Sequence, residues 1–534
     1  MTSIFNNYNR YRLYELTLLF ILFFCQAYSQ QPTIYADSLT LRNHVSALAN
    51  DSMKGRGSGT PDEQRAASYI ESYFAKINLK PKGDSGTYQQ QVTLPTGKIY
   101  SSSTIIIHND TLSFPSDFSI YQTPAVFKEF KEGLIFVGYG IHSDDQRYDS
   151  YHDIVVKNKI VVALSSHLWD RAKLPKDFKA NHESQVTWAK ERGAAGLLLL
   201  NDSPSKRTNC KKSDRNVAAE LFQVIDKEGF LWLEIADGSA FVRKIFQIEN
   251  LVNISLAYHA SSNVTLRENI VSEQTFSSNV IGKIQGSDLG EEYIVITAHY
   301  DHLGVGRNID GDSIYNGTLD NASGVSVLLE TARLFATSSV KPRRSILFIA
   351  LGAEEQGFYG SKYFVAHPTV PLNAIVANIN IDVAGFAFGS PDCWMTLLGE
   401  EYNDMGEKFE ESAEELGIHL MPNVMPSYYR RSDGYIFAQA GIPSLSPASG
   451  MPLNKVKDGM NHFLKFYHQR NDEIDKTPIN FSVLRLQTQA ITNGVWQIAN
   501  SDSRPEWTSE LDSESWMTVR EIFGQIRVWF AGLF

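Results

Sequence analysis

The 534-residue sequence is poor in cysteine, with three in all, and no two of them form a Cys-x-x-Cys pair. That excludes a disulfide-stapled scaffold and argues against a thiolate zinc site. It also lacks an excess of positive charge: 49 Lys and Arg stand against 60 Asp and Glu, a net charge of −11. General nucleic-acid binding needs concentrated cations that this balance does not provide. Internal repeats and low-complexity tracts are absent, and so is any apolar stretch of the ~20 residues that span a bilayer. The apolar run Leu16–Cys25 is about half that length. It follows Arg10 and Arg12 and precedes Ala27 and Ser29, the pattern of a cleaved secretory signal over residues 1–29. The mature chain is therefore expected to be secreted or periplasmic and to keep only Cys210 and Cys393. What remains is globular in composition, 43% hydrophobic and 20% charged, with apolar material for more than one domain.

Periodicity organises the chain. Residues 37–50 and 62–76 read as helices. The second starts at a capping box, with Thr60 as N-cap, Pro61 at N1 and Glu63 at N3. Gly55-Arg56-Gly57-Ser58-Gly59 between them reads as a connector, because no strand precedes it as a phosphate loop requires. Residues 119–272 have a different texture. Strands are expected at 133–140 and 154–164, a helix at 186–192 and a tight turn into a buried strand over Gly193–Leu200, with no cluster of catalytic residue types. This stretch reads as an insert. The flanking segments, 30–118 and 273–503, form the discontinuous main domain, and 504–534 is a tail. In the tail, Phe523, Ile526, Val528 and Trp529 fall on one helical face. From 279 apolar strands at 293–298, 345–351 and 375–381 alternate with helices, one of which follows Asp320. This α/β alternation implies a mostly parallel sheet covered on both faces, a three-layer α/β/α sandwich. Functional groups in such sheets collect at the carboxyl ends of the strands.

Acids and imidazoles stand at those ends. His299-Tyr300-Asp301-His302 follows the first strand, Glu354-Glu355 the second and Asp382 the third. Asp320 precedes its helix, and Tyr467-His468 comes late in the chain. Each group alone is common in proteins without a site. Together, at one end of one sheet, they would repel and desolvate one another unless cations are present. Two divalent ions sharing one carboxylate satisfy them, and nitrogen and oxygen donors without thiolate suit zinc, with manganese or cobalt as alternatives.

The ordered segments His299–Gly304, Asn316–Gly324, Ala353–Gly357, Asn380-Ile381-Asp382, and His468 with Asp472 resemble the dinuclear zinc exopeptidases of the aminopeptidase Y and plasma glutamate carboxypeptidase type. The resemblance implies a mixed, mostly parallel sheet and a peptide substrate. It implies that His299, Asp382 and the bridging Asp320 hold one zinc, and that Asp320, Glu355 and His468 hold the other. Glu354 would be the general base, and Asp301 would orient the His299 ring. Tyr467 is a candidate donor to the developing oxyanion, and equally a packed tyrosine. Gly138-Tyr139-Gly140, Asn158–Val162 and Lys190–Leu200 resemble a protease-associated domain, which places a β-rich domain of that type in the insert.

The pattern departs from its relatives at Ser432-Asp433-Gly434, where many carry His after Ser-Asp. His302 is not needed as a ligand and reads as a hydrogen-bonded structural histidine. The reading is a zinc aminopeptidase. A carboxypeptidase or dipeptidase on the same site is the first alternative, kept open by Arg430 and Arg431 in a plausible substrate loop. Glutaminyl cyclase and a metal-free binding ectodomain are disfavoured by the intact set of five ligands with Glu354.

Overall fold

The computed structural model describes residues 35–511 apart from 101–102, 108–109, 114–115, 125–128, 131–132, 144–148, 167, 169–181, 202–219, 227–229, 236, 249–259, 263–265, 270–271, 310, 389, 391 and 425. The signal segment 1–29, Cys210 and the apolar face at 523–529 lie outside the described residues. Contacts divide the chain into two compact units. The first comprises Met1–Val92, Ser278–Gly304 and Tyr315–Phe534, and the second Thr93–Ser277 with Val305–Ile314.

The first unit is built on seven strands: β1 (Ser272–Ile284), β2 (Leu289–His299), β3 (Arg344–Leu351), β4 (Ile375–Asn380), β5 (Trp394–Leu398), β6 (His419–Met421) and β7 (Ser444–Ser449). Their order across the sheet is β1-β3-β2-β4-β7-β5-β6. The four central strands, β3, β2, β4 and β7, run parallel. β1 is antiparallel to β3, and β5 to β7. β3 is buried along its whole length, as expected of a strand covered on both faces.

Seven helices cover this sheet: α1 (Ser38–Leu48), α2 (Pro61–Lys76), α3 (Ser323–Thr337), α4 (Tyr359–Ala366), α5 (Gly406–Glu415), α6 (Asp433–Gln439) and α7 (Phe481–Asn500). On one face, Ile294 and Ile296 of β2 and Phe348 of β3 share a core with Leu41, Ile70, Val325 and Val495 from α1, α2, α3 and α7. On the other, Val295, Leu347 and Ile349 pack with Phe364 of α4 and Phe437 of α6. The alternation of strand residues between two cores makes the three layers. Each large apolar side chain so buried contributes about 1.5–3 kcal/mol.

Helix α2 begins as its sequence dictates, with the Thr60 hydroxyl accepting from the amides of Asp62 and Glu63. The return bond of the capping box goes elsewhere: Glu63 Oε2 accepts from Gly59 N at 2.6 Å, and Oε1 accepts from Ala353 N at 3.2 Å. The buried Glu63 thus ties the helix start to the loop that carries Glu354. Cys393 is a buried free thiol. Residues 501–503 are held by Arg343 and Arg344, and Trp507 donates to Gly441 O. The start of the predicted tail is therefore packed on this unit.

The second unit has a parallel run of strands at 134–136, 160–164, 196–200 and 231–235, with helices at His182–Glu191 and Gly238–Phe246. A smaller sheet pairs Thr104–Ile107 with Asp110–Ser113 and with Leu266–Asn269. That pairing moves the boundary. Residues 93–118, which the sequence places in the main domain, fall in the second unit, with 96–100 paired to 220–224 and 104–107 to 266–269. Likewise the strand expected over 154–164 begins only at Ile160. Among the described residues no helix is long and apolar enough to cross a membrane.

His44, inside α1, is wedged against Tyr69 and Tyr73 of α2, with Nδ1 2.7 Å from the Tyr69 hydroxyl. Burial, with Lys76 and Arg333 adding, pulls its pKa down to about 4. The unfolded chain then binds more protons than the fold between about pH 6.5 and 4, so stability falls as pH drops through that window. His44→Gln is expected to remove about 2 kcal/mol of this acid sensitivity, measured as the change in urea-denaturation free energy between pH 7 and pH 4.5 against the unmodified chain.

Candidate metal centre

The candidate residues converge at the carboxyl edge of the central strands. His299 ends β2, and its Nε2 lies 3.3 Å from Asp320 Oδ1 and 3.4 Å from Asp382 Oδ1. His468 Nε2 lies 2.9 Å from Asp320 Oδ2 and 3.3 Å from Glu355 Oε1. Asp320 faces both groups with its two oxygens. The first group, His299, Asp320 and Asp382, has its donor atoms within 4.8 Å of one another, and so do His302, Asp320 and Glu355.

His302, which reads from the sequence as a hydrogen-bonded histidine not needed as a ligand, stands against the second donor group. Its Nδ1 is 2.8 Å from Glu355 Oε1 and 3.9 Å from Asp320 Oδ2. The ring is buried and Nε2 has no hydrogen-bond partner. It stands beside His468, with ring centroids 5.9 Å apart, so the second group has two imidazoles at its carboxylates.

Main-chain amides fix the loops. Asp472 is fully buried and accepts from Leu319 N at 2.9 Å and Asp320 N at 3.1 Å, with the Thr477 hydroxyl at 2.8 Å. Asp301 does the same for the other loop, accepting from Glu354 N at 3.0 Å, Glu355 N at 3.2 Å and the Ser58 hydroxyl at 2.6 Å. The predicted bond from the His299 ring to the Asp301 carboxylate is longer: Nδ1 is 3.3 Å from the Asp301 carbonyl oxygen and 3.7 Å from Oδ1. Asp301 therefore positions the Glu354-Glu355 amides, and its carbonyl is the nearer partner of the ring.

Asn321 joins the Asp320 and Asp382 loops. Its Nδ2 donates to Ile381 O at 2.9 Å, and its Oδ1 accepts from Gly324 N at 2.9 Å and Val383 N at 3.3 Å. A Cβ at residue 324 would stand 2.2 Å from Asn321 Oδ1, so this close approach requires glycine. Asn316 and Asn321 both head Asn-x-Ser/Thr sequons, yet both are buried, which removes them as glycan acceptors.

The Gly-rich connector is the larger surprise. It delivers Arg56, 1% exposed, beneath the site. Arg56 Nε donates to Tyr300 O at 2.7 Å, Nη1 to Leu48 O at 2.7 Å and Asn316 O at 2.6 Å, and Nη2 to Gly317 O at 2.9 Å. Burial pulls its pKa down to about 10, while Asp472, Asp301, Asp320 and Glu355 favour its charge. A cation bonded only to carbonyls holds the His299 and Asp320 loops together and offsets the surrounding carboxylates.

The charge pattern fits divalent cations. Burial penalises a charged His299, yet Glu354 and Asp382 hold its pKa well above the usual imidazole range. His468 is raised to about 9, burial being outweighed by Glu355 and Asp320. Burial pushes the Glu354 carboxyl well up, against the pull of His299, and raises Asp433 to about 7. In other words, the imidazoles are driven toward protonation because the acids lack positive charge. Asp320 Oδ2 and Asp382 Oδ1 are buried with no donor in hydrogen-bonding geometry, although ring nitrogens lie in contact. Acceptors converging without donors are the condition that a bound cation relieves.

A cleft open to solvent adjoins the centre and is lined by Asp382, Tyr467, Arg431, Phe388, Met460 and Phe463 among others. The Tyr467 ring stacks on His468 with centroids 3.9 Å apart and on Phe463 at 5.0 Å. Gly434 has no room for a side chain: a Cβ there would meet Ser446 Oγ at 2.7 Å and Ser444 Oγ at 3.0 Å.

Arg56→Met would remove the guanidinium from the buried Tyr300, Leu48 and Asn316 carbonyls, at about 1–3 kcal/mol each, while Gly317 O keeps the Ala322 amide. The variant is expected to lose at least about 3 kcal/mol of stability in urea denaturation; a midpoint equal to that of the unmodified chain would contradict the role assigned to Arg56.

Residues 279–491 match the profile of Peptidase family M28. The chain is 29% identical to Aminopeptidase YwaD of Bacillus subtilis over 45% of its own length and 49% of that protein's. It is 34% identical to a probable zinc metalloprotease of Leptosphaeria maculans over 21% of its length and 25% of that protein's. It thus spans half or less of the length of these curated relatives. In structure it is similar to BSAP, a zinc aminopeptidase from Bacillus subtilis, with a TM-score of 0.53 at 18% identity, covering 87% of this chain and 96% of that one; at that identity the likeness is one of fold. Over residues 279–491 the chain is therefore similar to peptidase family M28, and the names of the matched relatives, an aminopeptidase and a probable zinc metalloprotease, agree with that match.

Proposed function

We propose that the chain is an exported aminopeptidase that removes residues from peptide amino termini with two zinc ions. The observation that carries this reading is the pair of donor groups sharing Asp320, which has one oxygen toward His299 and the other toward His468. His299 and Asp382 would hold one ion, and Glu355 and His468 the other, with Asp320 common to both. When bound, the ions supply Lewis acidity toward a scissile carbonyl and make water acidic near neutral pH.

The protein's own groups do the rest. The Glu354 amide is fixed on Asp301, which leaves the Glu354 carboxylate to take a proton from the attacking water and return it to the leaving amine. Tyr467, whose ring stacks on His468 and on Phe463, would donate to the carbonyl oxygen as it gains charge. The aminopeptidase direction is favoured by the name of the Bacillus subtilis relative. Export rests on the apolar segment Leu16–Cys25 after Arg10 and Arg12. The second unit is read as a protease-associated domain from its sequence at 138–140, 158–162 and 190–200.

Elemental analysis of purified protein should find close to two zincs per chain, with turnover of peptides that have a free amine and none of amino-blocked ones. Absence of metal and of turnover would sink the proposal. Glu354→Gln is expected to keep both metals while kcat falls by about 10²–10⁴-fold. Metal loss with activity intact would refute the assignment of Glu354.

A further inference from the structure

The cleft beside the metal centre holds one cation that the mechanism does not use. Among its lining residues Arg431 is the sole Lys or Arg, and most of the remaining wall is apolar or neutral, including Phe388, Leu398, Met460 and Phe463. The one acid on the wall, Asp382, faces His299. The backbone beneath Arg431 is fixed: its amide donates to Tyr428 O at 3.0 Å, and the Ser432 hydroxyl donates to Tyr429 O at 2.7 Å. The guanidinium itself is exposed and pairs with no carboxylate among the described residues; its nearest recorded neighbour is the Tyr428 ring, 5.8 Å from Cζ to centroid. The adjacent Arg430, by contrast, is buried.

An unpaired guanidinium on a largely apolar wall is a receptor for an anion. Its planar fork matches a carboxylate in two parallel hydrogen bonds. We propose that Arg431 binds a substrate carboxylate one residue beyond the scissile bond, so that the site selects short peptides ending there or peptides with an acidic residue at that position. One residue advances an extended chain by about 3.3–3.6 Å, and Asp382 and Arg431 line the same cleft. The inference rests on the aminopeptidase reading, because that reading sets which side of the scissile bond faces Arg431.

The test compares Phe-Ala, Phe-Ala-amide, Phe-Asp-amide and Phe-Asn-amide. The expected result is a kcat/KM for Phe-Ala at least about 10-fold above Phe-Ala-amide, a gap that Arg431→Gln collapses to near unity and Arg431→Lys partly restores. A matching gap between the Asp and Asn amides would identify a side-chain carboxylate as a second source. Equal rates for all four, or a gap that survives Arg431→Gln, would overturn the proposal. Affinity measured on the Glu354→Gln background gives a readout without turnover: the same acid-to-amide ratio should appear in Kd and vanish when Arg431→Gln is added. Cleavage confined to amino-blocked peptides would instead defeat the aminopeptidase reading, and the Kd ratio would still decide the role of Arg431.

Discussion

Two buried carboxylates that are not themselves in the donor groups hold this site in shape. Asp301 and Asp472 each accept two consecutive main-chain amides from a loop that carries donor residues. Such bonds to a charged acceptor are short, strong and directional. They also carry a cost, because each adds negative charge to a region already crowded with it. Arg56 is the protein's own answer, and it spends its donors on the carbonyls of the same loops rather than on the acids. Loop geometry and local charge are therefore one problem, solved by groups that never face a substrate.

The parallel sheet makes this arrangement available. β2, β3 and β4 end side by side, so His299, the Glu354-Glu355 loop and Asp382 emerge at one edge. The Thr297 hydroxyl donates to Asn380 Oδ1 at 2.8 Å, linking two strands just before their donor residues. Helix α3 contributes through what comes before it, the stretch 317–322 with Asp320 in it. His468 comes from a loop pinned by Asp472, four residues on. The donor residues span positions 299 to 468, yet few independent motions separate them.

The sequence made the strands and their ends legible because apolar runs of period two or full burial stop at polar residues, and the polar residues at these stops were the acids and imidazoles. Arg56 was not legible for a physical reason. Its partners are backbone carbonyls, which have no residue signature, and a Gly-rich segment between helices reads as a joint whatever it carries. His302 was hidden by its neighbour: in His-x-Asp-His one ring suffices for the first group, and only the fold shows the other ring against Glu355. Gly434 looked like a lost contact, whereas Ser444 and Ser446 occupy the space that a larger side chain would need. The boundary at 93–118 was invisible because strand pairing over 150 residues leaves no local trace.

The bonds from Arg56 also govern the order in which the chain can acquire its structure. Arg56 meets Asn316 O and Gly317 O across 260 and 261 positions of sequence, and Ala36 N meets the Gln489 side chain across 453. Contacts of such separation slow folding, since the loop must close before they stabilise anything. The two amino-terminal helices, made first, have no sheet to cover until residues well past 300 have been synthesised. Their apolar faces wait through the emergence of the whole second unit.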